Sequence, residues 1–250
     1  MGKIKGGAIF SSSNNGNDVL NTAMKVVGVI VVIIIIYYLF FSGDSTSHGS
    51  MLDAREMVRV PASSLPTQSS SYTYAMWFYI NDWNYNYGKN KILFNRINKD
   101  GGPGPAILLD AFDNMLKVKI GYGSSPDTAG VHVCRVRNIP LQRWVHLAVT
   151  TNDRVTDIYL DGKLVRTCII PGVPQTSISD GFIAGDENKE SNGGFNGLIS
   201  EVRSWSRPLT PREVFNEYRL GSGSLFSMFN RFRLRFSVLD RNTEIKTIVI

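Results

Sequence analysis

The feature that most constrains the fold is an alternation of apolar and polar residues with period two, which runs from about residue 55 to residue 206. The segments are short, rich in β-branched and aromatic residues, and bounded by Gly, Pro, Asn and Asp. They are MVRV, YTYAMWFYI, KILFNRI, AILLD, LKVKI, VHVCRVR, WVHLAVTT, VTDIYL, KLVRTCII, GFIA and FNGLISEVRSW. Because no helical pattern separates them, the sequence predicts an all-β domain with antiparallel pairing.

Two local motifs refine this prediction. Asp161-Gly162, between IYL and KLV, is typical of a two-residue hairpin turn. Near the end of the domain, Thr210 precedes Pro211, and Glu213 completes a Thr-x-x-Glu capping box. Gly221 follows the last turn of this pattern. One short helix is therefore predicted at the C-terminal end of the domain.

The same residues resemble a known family. The stretches RWVHLAVTTNDRVTDIYLDGKLV and FNGLISEVRSWSRPLTPREVFNEY are similar to the laminin-G-like branch of the concanavalin A-like lectin/glucanase superfamily. The earlier stretch MVRVPASSLPTQSSSYTYAMWFYI is similar to the opening of that family. The resemblance covers roughly residues 51–221 and implies an antiparallel two-sheet jelly-roll sandwich, which the strand pattern independently supports.

A long apolar stretch precedes this domain. Residues 26–41 carry no charge, and residues 23–41 would form about 28 Å of helix, close to the thickness of a bilayer core. The stretch is longer than the apolar region of a signal peptide, and SGDSTSHG offers no clear cleavage site. A single transmembrane helix is predicted, and its membrane contacts include Lys25, Val26, Ile33, Tyr37, Tyr38 and Phe41.

These features divide the chain into five parts. A polar segment (1–22) precedes the transmembrane helix (23–41), and a short linker (42–50) leads to the jelly-roll domain (51–221). A basic and aromatic extension (222–250) follows. The cues to orientation conflict, because lysines before the span favour a cytosolic N-terminus whereas the lack of any Asn-x-Ser/Thr motif favours a cytosolic domain. The side of the membrane therefore stays open.

The net charge of +6 is concentrated at the two ends of the chain. Three Lys and one Asp precede residue 42, and five basic and two acidic residues follow residue 220. Only one net positive charge is left for the 179 residues between them. This distribution argues against a nucleic-acid-binding face on the domain.

The two cysteines, Cys134 and Cys168, both lie in predicted strands. They could form a disulfide across a sheet or stay as two half-buried thiols, and the sequence favours neither state. The histidines His48, His132 and His146 show no ligand spacing with them, so a metal site is not expected.

The sequence lacks the motifs of the common enzyme classes. The glucanase members of the superfamily need paired carboxylates, commonly as Glu-x-Asp-x-x-Glu, and no such run is present. Asp186, Glu187 and Glu190 lie in a Gly/Asn-rich loop typical of a solvated turn, and Glu201 is expected to pair with Arg203 or another neighbour. We predict that the chain is not an enzyme.

A loop with the sequence NDWNYNYGKN is the candidate binding site. Trp83, Tyr85 and Tyr87 could stack on a sugar ring or anchor a protein, because lectin-like relatives hold ligands at loop ends. The structural alternative is that Trp83 closes the edge of the sandwich and the tyrosines cover it.

The resemblance makes calcium the cofactor to consider, since lectin-like relatives also hold calcium at loop ends. Asp110, Asp113 and Asp186 are candidates by residue type, but their spacing does not require a metal. The sequence therefore predicts no bound cofactor.

The C-terminal stretch FNRFRLRFSVL alternates aromatic or aliphatic residues with arginines. A helix would spread the arginines around its axis, whereas a strand separates the two kinds of residue onto opposite faces. We predict a β-strand that adds to the sheet of a neighbouring subunit or folds back on its own sandwich. The residues assigned to this docking tail are Arg231, Phe232, Arg233, Leu234, Arg235 and Phe236.

The architecture suggests a function. A short-tethered jelly roll with appendages resembles, in plan, the membrane-anchored minor capsid proteins of large icosahedral DNA viruses with an internal membrane. We therefore predict a non-enzymatic module that links a lipid bilayer to neighbouring protein subunits, in a virion, without binding nucleic acid. The alternative is a membrane-anchored, glycan-binding adhesion protein at the cell surface or on an endomembrane.

Overall fold

The computed structural model describes residues 24–34, 46–49, 51–66, 70–98, 102–123, 129–175, 177–185, 193–223, 235–240 and 243–249. The chain divides into two compact units, Met1–Asp44 and Ser45–Ile250. In the first unit, residues 24–34 form a helix (α1). No helix among the described residues is long and apolar enough to cross a bilayer. Tyr37, Tyr38 and Phe41 of the predicted span lie outside the described residues.

The second unit contains the predicted antiparallel sandwich. Its larger sheet has seven strands in the order β1-β13-β4-β9-β10-β11, with β2 also paired to β13. These strands are β1 (Thr46–Ser47), β2 (Met51–Asp53), β4 (Tyr72–Asp82), β9 (Trp144–Asn152), β10 (Val155–Leu160), β11 (Lys163–Ile169) and β13 (Asn196–Trp205).

The smaller sheet has six strands in the order β3-β12-β5-β6-β7-β8. These strands are β3 (Val58–Val60), β5 (Lys91–Ile97), β6 (Pro103–Leu109), β7 (Met115–Tyr122), β8 (Gly130–Arg137) and β12 (Gly181–Ile183). A single 3-10 turn, Ala62–Ser64, follows β3 in this part of the described chain. Every segment between residues 55 and 206 that its period-two pattern predicts to be a strand is one.

The core lies between the two sheets because alternate residues of each strand face inward. In β4, Tyr72, Tyr74, Met76, Phe78 and Ile80 point into the core that both sheets share. Of the intervening residues, Thr73, Ala75 and Trp77 are also buried and Tyr79 is half-buried, which explains why YTYAMWFYI is apolar almost throughout. Its outer face must therefore be covered by another element.

That element is the C-terminal helix α2 (Pro211–Leu220), which packs on the outer face of the larger sheet. The Trp77 ring stacks on the Tyr218 ring with centroids 5.6 Å apart. The predicted capping box is present, since the Thr210 side chain accepts from the Glu213 N–H and the Glu213 side chain accepts from the Thr210 N–H. The apolar cluster beneath the helix contains Ala75, Ala148, Tyr159, Trp205, Leu209 and Val214.

Two features extend beyond the sequence predictions. Strand β1 lies inside the predicted linker, residues 42–50, and pairs with β13, so the larger sheet begins at Thr46. In the C-terminal extension, β14 (Arg235–Asp240) pairs with β15 (Thr243–Val249) in a separate two-stranded sheet. The predicted tail strand is thus present from Arg235 onward, but among the described residues it pairs with β15 and not, as one of the two predicted alternatives had it, with a strand of its own sandwich. Arg231, Phe232, Arg233 and Leu234 lie outside the described residues.

Candidate functional site

The two sheets end on the same side of the sandwich. Strand β8 is the last strand of the smaller sheet, and β11 is the last strand of the larger sheet. A disulfide between Cys134 and Cys168 joins these two edge strands, with the Cα atoms 6.2 Å apart. Of the two states that the sequence left open, the structure has the disulfide, and it connects two different sheets.

A groove of about 750 Å³ lies along this edge. Its lining begins next to the disulfide and continues along the second half of β8, the loop that follows β8, and the hairpin between β10 and β11. The lining residues are Val133, Arg135, Val136, Arg137, Asn138, Pro140, Arg143, Leu160, Asp161, Val165 and Arg166.

The charge of this groove is positive. Four arginines and one aspartate line it, and Arg143 forms an ion pair with Asp161. Asp161 also accepts a hydrogen bond of 3.0 Å from the His146 N–H, so this carboxylate is fully engaged. Among the described residues, no carboxylate pairs with Arg135, Arg137 or Arg166, and all three are exposed. The groove therefore presents three uncompensated guanidinium groups.

Sequence reasoning missed this groove because the overall charge of the domain is nearly balanced. The arginines are spread from residue 135 to residue 166 and come together only when β8 and β11 lie side by side. One local signal was present: Arg135 and Arg137 alternate with apolar residues in VCRVR, which places both on the exposed face of one strand.

In the aromatic loop predicted to bind ligands, Trp83 contributes to the packing of the domain. Trp83 is half-buried and packs against the main core, and its Nε1–H donates to the Phe112 carbonyl at 3.3 Å. The Lys91 Nζ lies 4.7 Å from the centre of the Trp83 ring and has no described hydrogen-bond partner. Burial lowers the pKa of Lys91, although Asp110 and Asp82 oppose this change. Trp83 thus closes the edge of the sandwich.

The tyrosines of this loop are more accessible. Tyr85 is half-buried, whereas Tyr87 is 60% exposed. Tyr87 makes an edge-to-face contact with Phe112, whose side chain is 59% exposed, with centroids 5.5 Å apart. The loop therefore presents an exposed aromatic pair of which the sequence identified one member.

Of the acidic candidates that fall on described residues, Asp110 has structural partners, whereas the Asp113 side chain is exposed and pairs with no described residue. Asp110 forms an ion pair with Lys117 and accepts hydrogen bonds from the Phe112 and Asp113 N–H groups at 2.9 and 3.1 Å. Burial raises the pKa of Asp110, but these contacts outweigh it and lower the pKa to about 2. The other candidates, Asp186, Glu187 and Glu190, lie outside the described residues.

Glu201 pairs with Arg203, as predicted, and the same guanidinium also binds Glu217 of α2, at 2.8 and 3.0 Å respectively. Burial raises the pKa of Glu217, and Arg203 opposes this change. These groups lie under the helix near His146, whose pKa burial lowers to about 4. The cluster connects α2 to the sheet.

The described residues contain one cluster of three side chains with metal-ligand chemistry, His132, Cys134 and Cys168. His132 lies two residues before Cys134 in β8, so both side chains are on the same face of the strand. The sequence alone does not join His132 to a ligand set, because Cys168 comes from a strand of the other sheet. The missed signal was the His-x-Cys spacing within a strand.

Fold and edge geometry together define a jelly-roll domain of the concanavalin A-like class. A laminin-G-like family model of the Concanavalin A-like lectin/glucanases superfamily matches residues 53–215. The match covers more than half of the chain, and the chain belongs to this family, as the sequence motifs predicted.

The solved structures to which the chain is similar include receptor-binding domains of botulinum neurotoxins. The serotype D binding domain is 13% identical, with a TM-score of 0.47, over 62% of this chain and 37% of that chain. The type G receptor binding domain is 15% identical, with a TM-score of 0.46, over 69% of this chain and 46% of that chain. The chain spans less than half of each of these structures. No curated protein matches it.

Proposed function

We propose that this chain is a non-enzymatic docking protein, in which a laminin-G-like domain holds an acidic, extended segment of a protein partner in the groove between β8 and β11. The observation that carries the proposal is the convergence of Arg135, Arg137 and Arg166 on one groove without described carboxylate partners. Three exposed guanidinium groups close together favour a ligand with several carboxylates.

The backbone at this edge favours an extended peptide as the ligand. Strand β8 pairs only with β7, and β11 pairs only with β10, among the described strands. Each edge strand therefore keeps a row of free N–H and C=O groups that an added strand can bind. On β11, Leu164, Val165 and Ile169 are also exposed, which suits a partner that alternates acidic and apolar residues.

The proposal includes a membrane tether at residues 23–41. It is supported by the long charge-free stretch in the sequence and by the exposed apolar side chains of residues 26–34 in α1. The partner then belongs to a protein layer assembled on the same bilayer, as in a virion. Extraction of the full-length protein from membranes with alkaline carbonate tests the tether, since release into the supernatant would contradict it.

The absence of enzymatic activity is part of the proposal. Its support is that Asp110 and Glu201, two carboxylates in the described domain, are each held by a basic residue. A general acid or nucleophile of a glycosidase needs a free carboxylate beside the substrate. Release of reducing ends from a panel of polysaccharides would contradict this part of the proposal.

The test of the groove uses the full-length chain in nanodiscs of zwitterionic lipid. The probe is a ten-residue peptide of alternating Glu and Val, compared with the same peptide carrying Gln in place of Glu. We expect salt-sensitive binding of the Glu peptide only. Each exposed charge pair contributes about 0.5 to 1 kcal/mol, so the triple variant R135S/R137S/R166S should bind roughly tenfold or more weakly.

The matched control is the triple variant K89S/R212S/R219S, which removes the same total charge from exposed positions outside the groove. It should bind the Glu peptide like the unchanged protein. Equal weakening in both triple variants would show a general charge effect and overturn the groove assignment. Tighter binding of single-stranded DNA than of the peptide would replace the proposed partner with nucleic acid.

A second function, glycan binding, is favoured by the exposed pair of Tyr87 and Phe112 beside the aromatic loop. Aromatic faces of this kind stack on sugar rings, and the superfamily is named for lectins. A glycan array with the full-length protein and its Y87S/F112S variant tests this function. Specific sugar binding that disappears in the variant, together with no peptide binding, would place glycan recognition first.

A further inference from the structure

The edge of the sandwich contains a second chemical feature beside the groove. His132 and Cys134 of β8 and Cys168 of β11 place one imidazole nitrogen and two sulfur atoms within 4.8 Å of one another. Both cysteines are buried, and His132 is half-buried. No hydrogen bond joins the His132 imidazole to another described residue. The imidazole is therefore available as a ligand, with a ring nitrogen within 4.8 Å of both sulfurs.

The oxidation state of the sulfurs determines what this cluster can bind. As a disulfide, the form in this structure, the two sulfurs are weak ligands. As thiolates they are strong ligands, and two thiolates with one imidazole form a set that zinc prefers. The set contains no carboxylate, which disfavours calcium and magnesium.

We propose that the reduced form of this edge binds one zinc ion through Cys134, Cys168 and His132, with water in the fourth position. A dithiol or two monothiols supply the two electrons and two protons that convert the disulfide to two thiols, and the reductant becomes a disulfide. Zinc then replaces the two thiol protons, which pass to solvent. The imidazole binds zinc in its neutral form.

The geometry of β8 and β11 permits the replacement of the disulfide by a zinc ion. With Zn–S distances of about 2.3 Å, tetrahedral coordination separates the two sulfurs by roughly 3.8 Å. The Cα atoms of Cys134 and Cys168 are 6.2 Å apart, which leaves room for this separation after rotation of the two side chains. Each cysteine lies on an edge strand with one described neighbour, so small adjustments break no additional pairing.

The site does not depend on the proposed docking function. Its structural consequence is that the edges of the two sheets are joined in both states, by the disulfide under oxidising conditions and by zinc under reducing conditions. This would allow the same sandwich to be stable on either side of a membrane. The sequence leaves that side open, and the two-state edge fits either orientation.

The test is cobalt binding to the full-length chain in detergent, with cobalt as the spectroscopic substitute for zinc. After reduction with a phosphine, we expect one cobalt ion per chain, with a thiolate charge-transfer band and the intense visible bands of a tetrahedral site. Zinc should displace the cobalt. The oxidised protein should show none of these bands.

Variants assign the ligands. Cys134→Ser and Cys168→Ser should each abolish the charge-transfer intensity of a two-thiolate site. His132→Ala should weaken cobalt binding roughly tenfold or more, since loss of even an outer partner costs 10- to 100-fold. His48→Ala is the matched control, because the His48 ring bonds to Ser204 on the larger sheet, and it should bind cobalt normally.

Three outcomes would overturn the proposal. Cobalt binding that is unaffected by His132→Ala would show simple chelation by two thiols. One cobalt ion per two chains would show a site between molecules. If reduction unfolds the domain, circular dichroism tests the site instead. Zinc should then restore the β-sheet spectrum of the reduced protein, and failure to restore it rejects the site.

Discussion

Cys134 of β8 is disulfide-bonded to Cys168 of β11, and this bond connects the last strand of one sheet to the last strand of the other. The two residues are 34 positions apart in the chain, so the bond closes a long loop in the unfolded state. The double variant C134A/C168A should lose about 3 to 4 kcal/mol of stability through this loop entropy.

Urea unfolding in the presence of a chelator measures this loss, because the chelator removes any metal that could substitute for the bond. The unchanged protein should lose a similar amount when a phosphine reductant is added, whereas the double variant should not respond. If the reductant does not change the urea midpoint of the unchanged protein, the disulfide does not form in solution.

The buried histidine under α2 predicts how stability depends on pH. Burial lowers the pKa of His146 from 6.5 to about 4, Asp161 opposes this and Arg203 adds to it. Between these values the unfolded chain binds a proton that the folded chain does not. Stability should therefore fall as the pH drops from 6.5 to 4, by about 3 kcal/mol at most.

His146→Asn removes this titration and should weaken the fall in stability below pH 6.5, while His48, whose pKa burial also lowers, retains a part of it. The nearby Glu217 acts in the opposite direction, since its pKa is raised by burial and its protonation favours the folded state. Chemical unfolding at a series of pH values gives the comparison. Parallel curves for the variant and the unchanged protein would contradict the assignment to His146.

The hairpin turn before β11 lies against α2. Gly162 has a φ of +73°, and a Cβ atom at this position would lie 3.0 Å from Phe215 and 3.2 Å from Tyr218. Gly162→Ala should therefore cost about 1 to 3 kcal/mol, from backbone strain together with displacement of the helix.

Gly88→Ala is the matched control for this prediction. Gly88 also has a positive φ, of +82°, but its Cβ would meet Phe112 only at 3.7 Å, an ordinary contact distance. Thermal unfolding should show a larger loss for Gly162→Ala. Equal losses in the two variants would show that backbone strain accounts for the whole effect.

The N-terminus of α2 gives a prediction with a smaller change in stability. Thr210 caps α2, and its side chain and that of Glu213 satisfy each other's backbone N–H groups. Thr210→Ala should cost about 1 kcal/mol, whereas Thr210→Ser should be close to neutral because it retains the hydroxyl. Urea unfolding of both variants checks this, and equal stability of the two would contradict the role of the hydroxyl.

Deletion of the C-terminal extension tests its independence from the sandwich. Strands β14 and β15 pair with each other, and no strand of the two larger sheets pairs with them among the described residues. Removal of residues 224–250, which keeps the buried Ser222 because its carbonyl accepts a hydrogen bond from Ser200, should leave the Tm nearly unchanged while it prevents the proposed incorporation into an assembly. A large fall in Tm would show that the extension belongs to the core.

The sequence alone determined the local structure of the domain. Period-two alternation, the Asp161-Gly162 turn and the capping box of Thr210 and Glu213 all depend on residues close together in the chain, and each is present as predicted. The short strand β1 was missed because two residues, Thr46 and Ser47, are too few to show a period. Strand β15 was not predicted because its apolar residues, Ile245, Ile248 and Val249, do not alternate with period two.

The tertiary structure decided which distant residues meet. Arg135 and Arg166 share a groove, and His132 and Cys134 meet Cys168, only because the two sheets end on the same side of the sandwich. Alternation places a side chain on one face of a strand, but the order of strands in a sheet is set by pairing between distant segments. Charge balance over the whole domain could not show this concentration of arginines, since electrostatic interactions depend on distance in space and not on position in the chain.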